Sequence, residues 1–355
     1  MTPLGSPRDT AQDMDSVVRG YRVQPLAEIL ASEFRDRVYR ADLATLVGDR
    51  SHEETERWIE ELTLAQLGVH CAGALFAKKS VGAVFGIVLE SGEPAVLKLF
   101  NRSYTHSELL AMHRCLGAAA AHGFPVPRQR SEIFEADDGL SAAFYAYLDG
   151  DQRDAHEPAV RRELARSLAE LNALLEPLDV AELPVSPACL ATLWPPAQHI
   201  WESQNLDNED TRFIDAHGKA AQQVIKKSKL KRVATHLDWG VKNIRFRDDS
   251  VCAVYDSDSL HAACEAECAG RAAALFTAQW ELPAMLTPTP AESQAFLEEY
   301  QSARGRRFSR AERTIAAASA RYLVAQVARQ ELLSGVPEAD NFRGLLRNYD
   351  SDPLL

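Results

Sequence analysis

What the chain lacks narrows its class first. No apolar run approaches the roughly 20 residues that a helix needs to cross a bilayer; the longest candidate, Ala83 to Leu89, stops at Glu90. The stretch Met1 to Asp15 carries acids and proline but no apolar core, so it does not read as a signal peptide, and a cytoplasmic location is expected. Cysteine is sparse. Six thiols in 355 residues cannot staple a chain of this size, and Cys264 and Cys268 have no second pair beside them to complete a zinc site. Basic charge is in the minority, with 39 Lys and Arg against 51 Asp and Glu and a net charge of −12. Such a chain gains no long-range attraction to nucleic acid or anionic membrane, and neither is expected as a partner. Internal repeats and low-complexity tracts are also absent, which excludes collagen-like, mucin-like and disordered classes.

What is present is an ordinary globular composition. Hydrophobic residues make up 46% and charged residues 25%, enough to bury a substantial core. At about 150 residues per domain, the length implies two domains or one two-lobed unit. The first dozen residues read as a loose terminus. Leu26, Ile29, Leu30 and Phe34 then share one helical face, as do Trp58, Ile59 and Leu62, with Ser51 and Glu54 placed for a capping box.

After Gly68 the texture changes. Leu75 to Ala77, Ala83 to Leu89 and Ala95 to Phe100 are short apolar runs separated by turn residues, which predicts an antiparallel sheet. A helix through Leu109, Met112 and Leu116 should end before Gly123, and Ser141 to Leu148 reads as another strand stopped by Asp149-Gly150. The remainder is mostly helical, with short extended pieces at 233–234, 244–246 and 251–255. The expected division is therefore a helical extension over 1–68, a sheet-bearing lobe over 69–149 and a large helical lobe over 150–355.

The most informative stretch is Thr235 to Ile244, with the spacing H-x-D-x-x-x-x-N, followed by Asp256-Ser257-Asp258. Phosphoryl transfer needs a carboxylate to orient the attacking hydroxyl, and an amide oxygen and a second carboxylate to hold the magnesium ions that bridge phosphates. Asp238 would face the hydroxyl; Asn243 and Asp256 would hold Mg2+. The competing reading is a polar loop with a capping Asp and a turn Asn. Upstream, Lys98 sits inside the apolar run 95–100 and needs a counter-charge, which Glu108 on the next helix could supply, as could a phosphate of ATP. The competing reading is an edge-strand lysine with its ammonium in water. A weaker element is Lys78-Lys79-Ser80-Val81-Gly82, where Ser80 and Gly82 could let backbone N–H groups approach phosphate. It is neither a full G-x-G-x-x-G nor a Walker A sequence. Lys242 beside Asn243 reads as solvated, and the basic run from Lys226 to Arg232 as a solvated helix end.

Taken in order, these elements resemble the aminoglycoside phosphotransferase and choline kinase-like family. The resemblance extends to Gly123-Phe124-Pro125-Val126-Pro127, to Phe144 through Gly150 where the family has its hinge, to Leu164 through Leu175, and to Phe296 through Tyr300, covering roughly residues 70 to 335. It implies an α+β, two-lobed protein-kinase-like fold, a small antiparallel-sheet N-lobe and a mostly helical C-lobe. It also implies ATP and Mg2+ as cofactors and a small-molecule hydroxyl as acceptor: an aminoglycoside, sugar or amino alcohol. Asp258, Glu265 and Glu267 could line a pocket for a cationic acceptor, although a polar helix face explains the two glutamates equally well. The chain departs from the family in having Leu237 between the loop His and Asp, Trp239-Gly240-Val241-Lys242 after that Asp, and Ser257 after Asp256. The alternative is a catalytically inactive kinase-like nucleotide-binding or scaffold protein. A protein kinase is disfavoured, because no Asp-Phe-Gly or Ala-Pro-Glu sequence occurs.

Overall fold

The computed structural model describes residues 17–18, 21–204, 206–336 and 341–355. The reading of the first dozen residues as a loose terminus falls outside them. A two-residue ribbon, β1 (Val17–Val18) and β2 (Tyr21–Arg22), leads into three helices, α1 (Leu26–Glu33), α2 (Arg37–Val47) and α3 (His52–Leu67). Two of the three begin on side-chain caps. Asp36 accepts the N–H groups of Val38 and Tyr39, and Ser51 and Glu54 form a reciprocal capping box.

A five-stranded antiparallel sheet follows, in the order β3-β4-β5-β7-β6. Its strands are β3 (Cys71–Lys79), β4 (Ala83–Leu89), β5 (Pro94–Leu99), β6 (Phe134–Asp137) and β7 (Leu140–Ala146), with α4 (His106–Ala121) crossing between β5 and β6. Strand alternation decides what each residue of β5 faces. Leu97 and Leu99 pack with Leu30, Leu43, Leu46 and Ile59 of the leading helices. Val96 and Phe100 point the other way, into the core shared with α4 and the second lobe. Lys98 lies between them in sequence and so on their face, paired in register with Val84 on one side and Ala143 on the other. The boundary expected near residue 69 therefore runs through a common core: α1–α3 cover the outer face of the sheet.

The second lobe contains α5 (Pro158–Leu175), α6 (Glu209–Lys226), β8 (Val233–His236), the hairpin β9 (Ile244–Arg247) and β10 (Ser250–Val254), β11 (Leu260–Ala263), α7 (Glu265–Leu275), α8 (Pro290–Ala303), α9 (Arg310–Ser334) and α10 (Phe342–Asn348). β8 pairs antiparallel with β11, which brings the start of the H-x-D segment beside the chain that follows Asp256. The two lobes join through 147–150. There the Tyr255 hydroxyl donates to the Leu148 carbonyl at 2.6 Å, and Asp151 exchanges backbone hydrogen bonds with Phe246. A second tie is made by Asp42 of α2. Its buried carboxylate pairs with Lys79 of β3 at 3.2 Å, takes the ring N–H of His199 at 2.8 Å and accepts the Ile200 N–H at 3.0 Å. One carboxylate thus links the leading helices, the sheet and the helical lobe. The basic run beyond Lys226 is an exposed helix end, as read from the sequence.

Gly82, at the mouth of β4, is required by close approach. A Cβ there would lie 2.2 Å from the Leu99 carbonyl oxygen, a backbone atom that cannot step aside. Gly82→Ala is expected to cost about 1–3 kcal/mol of stability through overpacking, read as a lowered urea midpoint; an unchanged midpoint would contradict this packing.

Candidate active site

Three segments deliver the polar groups. β5 presents Lys98; the loop after β8 presents Asp238 and Asn243; the turn after β10 presents Asp256, Asp258 and Ser259. Lys98 is buried, and its ammonium pairs with the Asp258 carboxylate and, at 3.2 Å, with Asp256 Oδ1. The lysine and the two acids lie about 160 residues apart in sequence, so only the fold brings them together. Asp256 has φ 63°, in the left-handed region that a short polar side chain tolerates. That conformation starts a tight 3-10 turn in which Ser259 Oγ donates to Asp256 Oδ2 at 2.6 Å and Ser259 N donates to the Asp256 carbonyl.

The two acids are not equivalent. Burial opposes charge on both. At Asp256, Lys98 and the Ser259 hydroxyl overcome it and hold the carboxyl well below the usual range. At Asp258, burial and the facing Asp256 carboxylate prevail over Lys98 and push the pKa up. Tyr104 fixes this turn from α4's approach, donating its hydroxyl to the Asp258 carbonyl at 2.9 Å.

The loop after β8 is fixed as firmly. His236 is buried and neutral: its Nε2–H donates to the Tyr255 carbonyl at 3.2 Å, and its Nδ1 accepts the Asp238 N–H at 3.3 Å. Burial lowers its pKa below the ordinary histidine value. Trp239 is buried and its indole N–H donates to the Leu164 carbonyl. Asn243 Nδ2 donates to both the carbonyl and Oδ2 of Asp238, each at 2.9 Å. The amide nitrogen is thereby committed, and the amide oxygen is its remaining ligating atom. Lys242 reaches Asp238 Oδ2 at 2.9 Å and stands 5.3 Å over the Trp280 ring.

Several sequence expectations need correction. Glu108 does not pair with Lys98. It is the N3 residue of α4's capping box, accepting the Thr105 N–H and hydroxyl at 2.8 Å each, and Asp258 takes the place expected of it. Asp258 is therefore not free to line an acceptor pocket. Neither is Glu265, which accepts from Tyr300, Arg304 and Arg306, nor Glu267, buried against Ser186. Lys242 is ion-paired rather than solvated. In the turn read as a phosphate contact, the Ser80 N–H is committed to the Gly82 carbonyl at 2.9 Å, and Gly82 is explained by Leu99. The roles of Asp258 as the partner of Lys98, and of Ser259 and Tyr104 as braces of the turn, have no counterpart among the sequence expectations. The alternation of acid and serine over 256–259 was the available signal for the first two.

Behind Lys98 lies a buried histidine. His113 of α4 contacts the Tyr145 hydroxyl through Nε2 and the Gln129 amide through Nδ1. Burial first, and then the Lys98 charge, push its pKa down to about 4. As pH falls, the unfolded chain takes up this proton before the folded one does. The contribution is therefore complete above about pH 6.5 and is lost toward about pH 4, on the order of 3 kcal/mol. His113→Gln is expected to flatten the fall in urea-unfolding free energy between about pH 7 and about pH 5; an equal fall in both proteins would contradict a neutral buried His113.

A divalent cation fits these donors only with help. Among the described residues no group of three or more His, Cys, Asp or Glu could hold a metal alone. One carboxylate and one amide oxygen are a sparse set for a hard cation, of the kind completed by phosphate oxygens and water.

Comparison with known proteins agrees with this architecture. The chain is similar to the amicoumacin kinase hAmiN, solved with AMP-PNP, Ca2+ and Ami, at 10% identity and a TM-score of 0.59 over 85% of this chain and 97% of that one. It is similar to an apo thermostable mutant of aminoglycoside phosphotransferase APH(4)-Ia at 12% identity and 0.55, over 81% and 97%. It is also similar to APH(2")-IIIa, solved with GDP and kanamycin, at 12% identity and 0.53, over 82% and 97%. At these identities the likeness establishes the fold, which is kinase-like. Curated protein sequences give no match. The profile of the phosphotransferase enzyme family matches residues 82–263, just over half of the chain, from the β4 turn through Lys98, Asp238 and Asp256 to the end of β11, and to that family the chain belongs.

Proposed function

We propose that the chain is an ATP-dependent kinase that phosphorylates a hydroxyl group of a small molecule, with Mg2+ as the accompanying cation. The observation that carries this reading is the convergence of Lys98 with Asp256 at 3.2 Å, beside a loop in which Asn243 tethers Asp238. Family membership supports the reaction class.

When bound, the nucleotide with its cation supplies the γ-phosphoryl group, whose bond to the β–γ bridging oxygen breaks as the acceptor oxygen bonds phosphorus. Lys98 orients phosphate oxygens from the strand side, held there by Asp258. Asp256 and the Asn243 amide oxygen hold the cation. Asp238 accepts the hydrogen bond of the acceptor hydroxyl, aligns it and takes its proton late in the transfer. Asn243 and Lys242 on Asp238 Oδ2 leave Oδ1 for that task. His236 holds no proton in transit; it fixes the Asp238 backbone. Catalysis in this scheme comes from positioning and preorganised charge.

A coupled ADP-release assay over a panel of small alcohols tests the reading, with a thermal-shift titration of ATP and Mg2+ run beside it. A ligand of the native state raises apparent stability. A folded protein that gains no stability from ATP and Mg2+ and releases no ADP ends the proposal. A gain in stability without transfer would leave an inactive nucleotide-binding module.

A further inference from the structure

The helices α1–α3 precede the stretch that matches the phosphotransferase family, and the scheme above gives them no part. One of them nevertheless bridges the two lobes, and strand register fixes where. At the hinge end of the sheet, Ala95 of β5 pairs with Ala146 of β7, next to the connection at 147–150. At the other end Leu99 pairs with Ala83, and Ala83 with Lys79 of the edge strand β3. Lys79 thus stands at a corner of the sheet remote from the hinge, beside the turn into β4, whose Val84 neighbours Lys98. On the β5–β7 side the lobes share a core that includes Leu109 and Met112 of α4 and Leu164 and Leu168 of α5. At the β3 corner they are joined through α2.

Asp42 makes that junction. Its Oδ2 faces Lys79 of the sheet and His199 of the helical lobe, and its Oδ1 accepts the Ile200 N–H. Burial opposes its charge, but His199, Lys79 and the Ile200 N–H prevail and hold the carboxyl below the usual range. One helical turn away, Tyr39 meets the Trp201 ring edge-on at 5.9 Å, and Trp201 stacks on His199 at 4.1 Å. The helical-lobe side is itself anchored. Gln330 of α9 donates to Glu202 at 3.2 Å, and the Trp194 indole to Asp215 of α6 at 2.8 Å.

The two halves of this junction are built differently. Lys79 and Asp42 are enclosed, their side chains 3% and 1% exposed, and each compensates the other's charge. His199 and Tyr39 reach solvent, and Tyr39 is 54% exposed. Parting of Asp42 from His199 and Ile200 would leave the buried ion pair whole and give the freed groups to water. A contact with these properties opens at low cost, as elements that move must.

Resting on the kinase reading, we propose that Asp42 and His199 form a latch that holds the β3 corner of the sheet to the helical lobe, and that nucleotide enters and leaves the cleft when this contact parts. Both are positioning residues. A latch slows entry and exit alike, whereas a group that only shapes the site changes affinity.

Stopped-flow mixing of the full chain with mant-ADP and Mg2+ measures association, and displacement by excess ADP measures release. His199→Ala removes a hydrogen bond to a charged acceptor together with the Trp201 stack. It is expected to speed both steps by about fivefold or more and to leave Kd within about threefold of wild type. His199→Asn, which keeps a donor where Nδ1 stands, should fall nearer wild type. Tyr39→Ala, from an exposed ring on the other side of the contact, should shift both rates in the same direction and serves if His199→Ala does not fold. Ile59→Val, which loosens the packing of α3 away from the latch, should change neither rate. Unchanged rates in His199→Ala overturn the latch. So does faster release without faster association, His199→Asn as fast as alanine, or an equal acceleration in Ile59→Val. A wild-type protein that binds no mant-ADP brings down the kinase reading and the latch with it; binding with unchanged rates in the variants brings down the latch alone.

Discussion

Asp256→Asn is expected to reduce kcat/KM by about a thousandfold or more while the protein stays folded. The substitution is chosen for the backbone. Asp256 has φ 63°, and asparagine tolerates that conformation about as well as aspartate, whereas alanine adds strain of about 1–3 kcal/mol. Asparagine also keeps an oxygen for the Ser259 hydroxyl, which now donates to Oδ2 at 2.6 Å. What disappears is the negative charge that Lys98 and Ser259 maintain against burial. If that charge holds the cation, the loss falls on transfer and on the cation requirement, and little on stability. Steady-state ADP release and a urea-unfolding curve on the same preparation measure both. Turnover within a few-fold of wild type in a folded Asp256→Asn protein would remove the metal assignment.

Lys98→Met should produce the other large effect, on activity and on stability together. Lys98 is the cation facing two buried carboxylates. Removing one partner of a buried ion pair costs about 3–5 kcal/mol, because the charge left behind has lost its compensation. The cost should depend on pH with a definite sign. Without Lys98, the nearby carboxylates repel each other and at least one has its folded-state pKa raised further above the unfolded value. The folded protein then binds more protons than the unfolded chain, so its relative stability improves as pH falls. Urea unfolding should therefore show a larger difference between variant and wild type at about pH 8 than at about pH 5. A difference that is equal at both values would mean that the variant loses packing rather than charge compensation. Transfer should fall by about a hundredfold or more, since Lys98 is also the phosphate-orienting group.

The contrast between Lys98 and Glu108 shows how far the sequence can be read. That Lys98 faces the shared core follows from strand alternation in 95–100, and the structure has Leu97 and Leu99 on the opposite face. That it needs a counter-charge follows from burial. Which acid supplies it does not, because Asp258 lies 160 residues away and reaches Lys98 only through the β8–β11 pairing. The error over Glu108 had a local remedy. Thr105-x-x-Glu108 is a capping-box signature just before an apolar run, and capping claims the carboxylate before any lysine can.

Elsewhere legibility followed the strength of the pattern. The cap of α3 and the end of α4 could be read directly. α2 and α6 are less plain in the sequence: α2 buries its apolar residues Leu43, Leu46 and Val47 only in its second half, and α6, although Ile214, Ala221 and Ile225 fall at helical spacing, carries Gly218 in the middle of that stripe. β6 is four residues long and partly exposed, too short for a period of two to register. In the site, the H-x-D-x-x-x-x-N spacing brought out Asp238 and Asn243, since both stand on one short loop. Asp42 and His199, at the latch, carry no motif. They meet across 157 positions of chain, a contact that local sequence does not encode.

We assign Asp256 and Asn243, with Lys98 beside them, to one nucleotide–cation site. Electron paramagnetic resonance of Mn2+ with ATP tests it most directly, Mn2+ standing in for Mg2+. Wild-type protein is expected to broaden and shift the Mn2+–ATP spectrum, and Asp256→Asn and Asn243→Ala each to return it toward that of Mn2+–ATP free in solution. A protein-bound spectrum identical in all three would contradict the assignment.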